Sequence, residues 1–130
     1  MNTQAAVLFI ALCAVGLPVA AATHTVNQSG FSFSPADLTI QTGDTVQWVW
    51  SSSSHTVTNG TGPTDPNVGA LFDAPLASGN TTVSFTFNSD GEFPYFCRPH
   101  FGLGMTGSVT VQDGVPVTSQ RLAGVRALYR

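Results

Sequence analysis

The chain has 130 residues, 42% of them hydrophobic and 8% charged, which sets the expectation of one compact domain rather than two. Seven acidic residues against four Arg and no Lys give a net charge of -3, and this argues against a protein that neutralises a nucleic-acid backbone or a cationic membrane-surface helix. All seven acids and a single Arg fall within residues 23–120 while three Arg fall within residues 121–130, so a charge-steered partner of the body is expected to be basic.

Residues 5–22 carry no charge. The apolar run Ala5-Ala6-Val7-Leu8-Phe9-Ile10-Ala11-Leu12, followed by the small residues Ala20-Ala21-Ala22, reads as a signal peptide over residues 1–22, cut before Thr23. Met1-Asn2-Thr3-Gln4 lacks Lys and Arg, so an uncleaved membrane anchor is the rival reading, and Pro18 favours cleavage. The expected location is the periplasm or the extracellular space, with membrane attachment if the segment stays. Cys13 belongs to the apolar run, which leaves Cys97 as the one thiol of the exported part. No disulfide within that part can form, so Cys97 is buried and inert, paired with another chain, or held by a metal.

The body, residues 23–113, reads as short strands. Phe31 and Phe33 alternate with Ser32 and Ser34, and Leu38 and Ile40 with Thr39 and Gln41. Val46, Trp48 and Trp50 alternate with Thr45, Gln47 and Val49. Val83, Phe85 and Phe87 repeat the pattern, as do Val109 and Val111, and Gly43-Asp44 and Asp90-Gly91 are turn signals. Half-buried strands without a sustained helical period indicate an all-β, antiparallel sandwich or barrel with the Phe and Trp side chains inside. Residues 59–69 are rich in turn formers and read as a surface loop. In residues 114–130 Leu122, Val125 and Tyr129 stand at helical spacing, but a segment this short is expected to be a flexible tail. His24 has no partner motif and receives no role.

The stretch Tyr95-Phe96-Cys97-Arg98-Pro99-His100-Phe101-Gly102-Leu103-Gly104-Met105 places Cys, His and Met in one loop between two expected strands. Thiolate, imidazole and thioether are ligands that suit copper in both oxidation states, and a second imidazole would complete a trigonal set with Met as the weak axial partner. His55, just after the Trp-rich strand, is the candidate for it.

With these residues in view, the chain resembles the small blue copper proteins of the cupredoxin family, in the plastocyanin, pseudoazurin and amicyanin group. Phe31-Ser32-Phe33-Ser34-Pro35, the run Leu38-Thr39-Ile40-Gln41-Thr42-Gly43-Asp44-Thr45-Val46-Gln47-Trp48, His55-Thr56-Val57-Thr58 and Gly91-Glu92-Phe93-Pro94-Tyr95-Phe96-Cys97 resemble successive family blocks in the family's order. The resemblance covers roughly residues 24–112 and implies a Greek-key β-sandwich around one copper ion. It implies four metal ligands: His55, Cys97, His100 and the axial Met105. Two departures stand outside the ligand set, Arg98 beside Cys97 and the basic tail after Asp113.

A set of four side chains that closes the coordination sphere leaves no position for substrate or water, so the expectation is a one-electron carrier between redox partners and not an enzyme. Three histidines are too few for a multicopper oxidase, and one loop cysteine is too few for a dinuclear copper centre. Two alternatives remain, a copper storage or delivery module without a redox role and a metal-free adhesion sandwich. The apolar neighbours of His100, namely Pro99, Phe101 and Leu103, are expected to form a neutral patch where a redox protein docks on a monomeric carrier.

Overall fold

The computed structural model describes residues 20–113. The expected signal segment, with Cys13, lies outside them except for residues 20–22, and the tail of residues 114–130 lies outside as well. Nine strands follow in chain order: β1 (Thr23–Ser29), β2 (Ser32–Ser34), β3 (Asp37–Gln41), β4 (Thr45–Val49), β5 (His55–Asn59), β6 (Asp73–Leu76), β7 (Thr82–Thr86), β8 (Gly91–Phe96) and β9 (Thr106–Gln112). They form a four-stranded sheet in the order β2-β1-β4-β7 and a five-stranded sheet in the order β3-β9-β8-β5-β6. This is the expected β-sandwich. Two of its pairings, β1 with β4 and β3 with β9, run parallel, a choice that the alternation of side chains does not encode.

Alternating residues of both sheets meet in the middle, as period-2 patterning requires. Val26, Val46 and Trp48 enter from one sheet, and Val57, Leu76, Val109 and Val111 from the other. The Trp48 ring lies 5.2 Å from both Phe72 and Tyr95, and Tyr95 in turn lies 4.9 Å from Phe33. Burial pushes the Tyr95 pKa up to about 12 against a weaker opposing pull from the Trp48 indole, so the phenol stays neutral in the core. Gly107 in β9 makes room for that phenol, because a Cβ there would overlap the Tyr95 ring.

One aromatic placement corrects the expected core, and Trp50 sits at the core's margin, packed against it. Phe31 is not an inward strand residue: Gly30, at φ 57°, turns the chain, β2 begins only at Ser32, and Phe31 is 52% exposed. Trp50 lies beyond the end of β4 and is half-buried, its indole N–H donating to the Ser53 carbonyl at 2.6 Å. The expected loop begins after Asn59 and runs to β6, slightly longer than residues 59–69. Strand β6 carries Pro75, and its place at the sheet edge lets it do without that N–H.

At the end where β4 starts, Asp44 is buried and gathers three donors. The Ala22 amide reaches Oδ1 at 2.9 Å, and the His24 Nε2 and Gln41 amide reach Oδ2 at 2.9 and 3.1 Å. Burial pushes the Asp44 pKa up, but these bonds and the His24 ring outweigh it and leave the carboxyl below its ordinary value. His24, given no role from the sequence, therefore ties β1 to the start of β4. Ala22 is already engaged in the fold, since its carbonyl accepts from the Thr45 amide at 2.9 Å.

Candidate metal centre

His55 opens β5 and Cys97 directly follows β8, so the antiparallel pairing of these strands carries both to one end of the sandwich. His100 lies three residues on, before a single 3-10 turn, Phe101–Leu103, and Met105 immediately precedes β9. Backbone hydrogen bonds close this loop. The Cys97 amide donates to the Met105 carbonyl at 3.0 Å, while the amides of Leu103 and Met105 both donate to the His100 carbonyl, at 2.9 and 3.3 Å. Gly104 ends the turn at φ 82°, a left-handed conformation that glycine adopts without strain.

The side chains converge. The Cys97 Sγ lies 3.3 Å from His100 Nδ1 and 3.6 Å from His55 Nδ1, and one ligand atom from each of the three residues can be chosen within 4.8 Å of the others. His55, Cys97 and Met105 are buried, and His100 is half-buried. Met105 reaches the same end of the core through the backbone bonds that tie it to Cys97 and His100. Burial lowers the His55 pKa, the nearby His100 lowers it further, and the Ser52 carbonyl opposes them in part. A neutral imidazole with a free lone pair is what a metal ligand must offer. The other ring nitrogen, Nε2, is buried without a hydrogen-bond partner among the described residues.

Supporting residues surround this set. Phe31 lies over both imidazoles, its ring 4.7 Å from that of His100 and 6.4 Å from that of His55. Gln28, fully buried, joins two segments around them. Its Oε1 accepts from the amides of Ser51 and Ser52 at 2.6 and 2.9 Å, and its Nε2 donates to the Gly30 carbonyl at 2.9 Å. One side chain thus fixes the approach to His55 and the turn that carries Phe31. On the other side, Phe101 packs edge-on against Phe96 at 5.3 Å. Residues 60–72 leave space for it: a Cβ on Gly62 would lie 2.7 Å from the Phe101 ring. Sequence reasoning placed His55, Cys97, His100 and Met105 together but missed Phe31 and Gln28. The Ser29-Gly30 dipeptide was the available signal that Phe31 sits in a turn.

One thiol, two imidazoles and a nearby thioether form a soft, nitrogen- and sulfur-rich donor set, the composition that suits copper. The profile of the copper-binding proteins of the plastocyanin/azurin family matches residues 20–112, which include all four of these residues. The chain belongs to that family. Among curated relatives, the plastocyanin of Scenedesmus fuscus is 36% identical over 84 residues, covering 62% of this chain and 86% of the relative. The chloroplastic plastocyanin of Tetradesmus obliquus is 37% identical over 84 residues, covering 62% of this chain but 58% of the relative. The solved structure of oxidised plastocyanin from Dryopteris crassirhizoma superposes with a TM-score of 0.58, covering 68% of this chain and 99% of that one. At 19% identity that likeness speaks to the fold alone, and it agrees with the two-sheet architecture. The copper expectation therefore holds for this plastocyanin/azurin-family member.

Proposed function

We propose that the protein is a type 1 copper carrier of single electrons in which His55, Cys97 and His100 hold one copper ion and Met105 is its axial partner. The observation that carries this reading is the convergence of the Cys97 Sγ with the Nδ1 atoms of His55 and His100 at the end of a packed sandwich. Copper supplies the one-electron couple. The chain supplies rigidity: the residues come from strand ends and a hydrogen-bonded loop, so little has to rearrange when the charge changes. Burial of His55, Cys97 and Met105 keeps water and small substrates from the centre, which favours a carrier over a catalyst.

His100 is the half-buried member of the set and gives electrons their way out. Around it stand Phe31, 52% exposed, and Leu103, 64% exposed, an apolar collar suited to brief docking of a redox protein. The acids of the body favour a basic partner, and the carrier acts as a monomer. Export of residues 23–113 as a copper domain rests on the uncharged, apolar segment before Thr23. Among the described residues no helix is long and apolar enough to cross a membrane.

Voltammetry of the copper-loaded protein tests the carrier reading against metal delivery. Reversible one-electron reduction with the copper retained over many cycles is the expected result. Copper that passes rapidly to a chelator and shows no reversible wave would contradict it.

A further inference from the structure

Arg98, which the family resemblance leaves unexplained, is the only Arg or Lys among the described residues. Its guanidinium meets Asp73 of β6 twice, Nε to Oδ1 at 3.2 Å and a second nitrogen to Oδ2 at 2.6 Å. Its backbone N–H points elsewhere, to the Thr56 hydroxyl at 2.8 Å. The Thr56 and Thr58 hydroxyls are 2.9 Å apart, and Thr58 donates to Asp73 Oδ1 at 2.9 Å. The strand register explains the meeting, because Thr56 and Thr58 share one face of β5 and Thr58 pairs directly with Asp73. The four residues close a ring that starts and ends on Arg98.

Donor counting orients the ring. The Arg98 amide can only donate, and the Asp73 carboxylate, held below its ordinary pKa by Arg98 and Thr58 against burial, can only accept. Thr58 spends its one proton on Asp73, so the bond between the hydroxyls must be donated by Thr56. Each proton then points from the Arg98 amide toward the carboxylate, and bonds aligned in this way strengthen one another. A half-exposed ion pair contributes little to stability on its own. Here it completes a path of bonds through buried Thr58.

The ends of the path matter for the metal centre: Thr56 directly follows His55, and Arg98 directly follows Cys97. We propose that Thr56, Thr58, Asp73 and Arg98 are positioning residues that fix the gap between the His55 and Cys97 backbones, so that the two side chains are placed for copper before it binds. The inference rests on the reading of His55 and Cys97 as ligands. It adds the residues that set their separation.

The decisive variant is Thr58→Val, which keeps shape and charge but removes both hydrogen bonds of the Thr58 hydroxyl, to Thr56 and to Asp73, with Thr58→Ser restoring them. In the full chain without copper, Thr58→Val is expected to speed hydrogen exchange of the Arg98 amide about tenfold, the scale of one net hydrogen bond, as the Thr56 hydroxyl that accepts from it loses its own anchor. The Cys97 amide, held by the Met105 carbonyl, is expected to keep its wild-type rate, and Thr58→Ser to return Arg98 to its own. Copper-loaded Thr58→Val is expected to release the metal to a chelator faster than wild type, with Thr58→Ser reversing the change. Asp73→Asn, one link further along and at the surface, is expected to act in the same direction and serves if Thr58→Val does not fold. Equal acceleration at Arg98 and Cys97, or none at either, would overturn the ring, as would metal release unchanged in Thr58→Val and Asp73→Asn. A wild-type protein that binds no copper would overturn the ligand reading, while the exchange rates without metal would still decide whether the ring holds the gap.

Discussion

At Cys97 two demands meet in one residue, since the thiol is buried beside two imidazoles and the backbone amide anchors the other end of the loop at Met105. Met105 carries the second demand. As the proposed axial partner, Met105 would tune the centre without fixing its shape, because a weak axial ligand changes the relative stability of Cu(I) and Cu(II). Met105→Leu is expected to raise the reduction potential, since an apolar replacement disfavours the higher charge, and Met105→Gln to lower it by offering a harder oxygen. Potentials measured on copper-loaded protein check this, and three equal values would show that Met105 is not axial. The four ligand candidates were legible in the sequence because each is a chemically distinctive type at a distinctive spacing. Gln28 and Phe31 were not, because a glutamine in a polar strand and a phenylalanine beside alternating serines carry no local mark of what they touch.

Strands with strong apolar alternation, such as β4 and β9, could be read directly from the sequence. Strand β1 could not, because Val26 is its one deeply buried apolar residue and its polar Gln28 also points inward. Strand β6 is short, holds a proline and is defined by its partner β5 rather than by its own pattern. The clamp on β1 leads to a pH prediction. The Asp44 carboxyl lies below its ordinary pKa in the folded protein, so its contribution is fully present above the unfolded value, roughly pH 3.9. It is lost as pH falls through the lower, folded value. Asp44→Asn is expected to lower stability at pH 7 by about 2 kcal/mol, the scale of hydrogen bonds to a charged group. Thermal melts of the copper-free protein should show this difference shrinking as pH falls below about 3.9. A difference that stays constant across that range would contradict the role assigned to the carboxylate.

Across the whole molecule, the sandwich separates two functions in space. The N-terminal clamp at Asp44 lies where β4 begins, and the metal centre lies where β8 and β9 are joined, with the Trp48 and Tyr95 core between the sheets. The parallel pairings and the ring through Arg98 escaped sequence reading for the same reason: both depend on which strands become neighbours, and the pattern within one strand does not reveal that. Docking belongs to this scale too. Leu103 stands exposed on the outer side of the ligand loop, so Leu103→Glu is expected to leave the copper spectrum unchanged while slowing electron exchange with a redox partner at least several-fold, as a charge placed in an apolar contact should. Exchange at the wild-type rate would place docking elsewhere. The account as a whole depends on a thiolate-bound copper at Cys97, and the visible spectrum of the metal-free protein titrated with Cu(II) reads that bond directly. The expected result is an intense blue band that saturates at one copper per chain and is absent from Cys97→Ser. A colourless wild-type titration, or a band that survives Cys97→Ser, would contradict it.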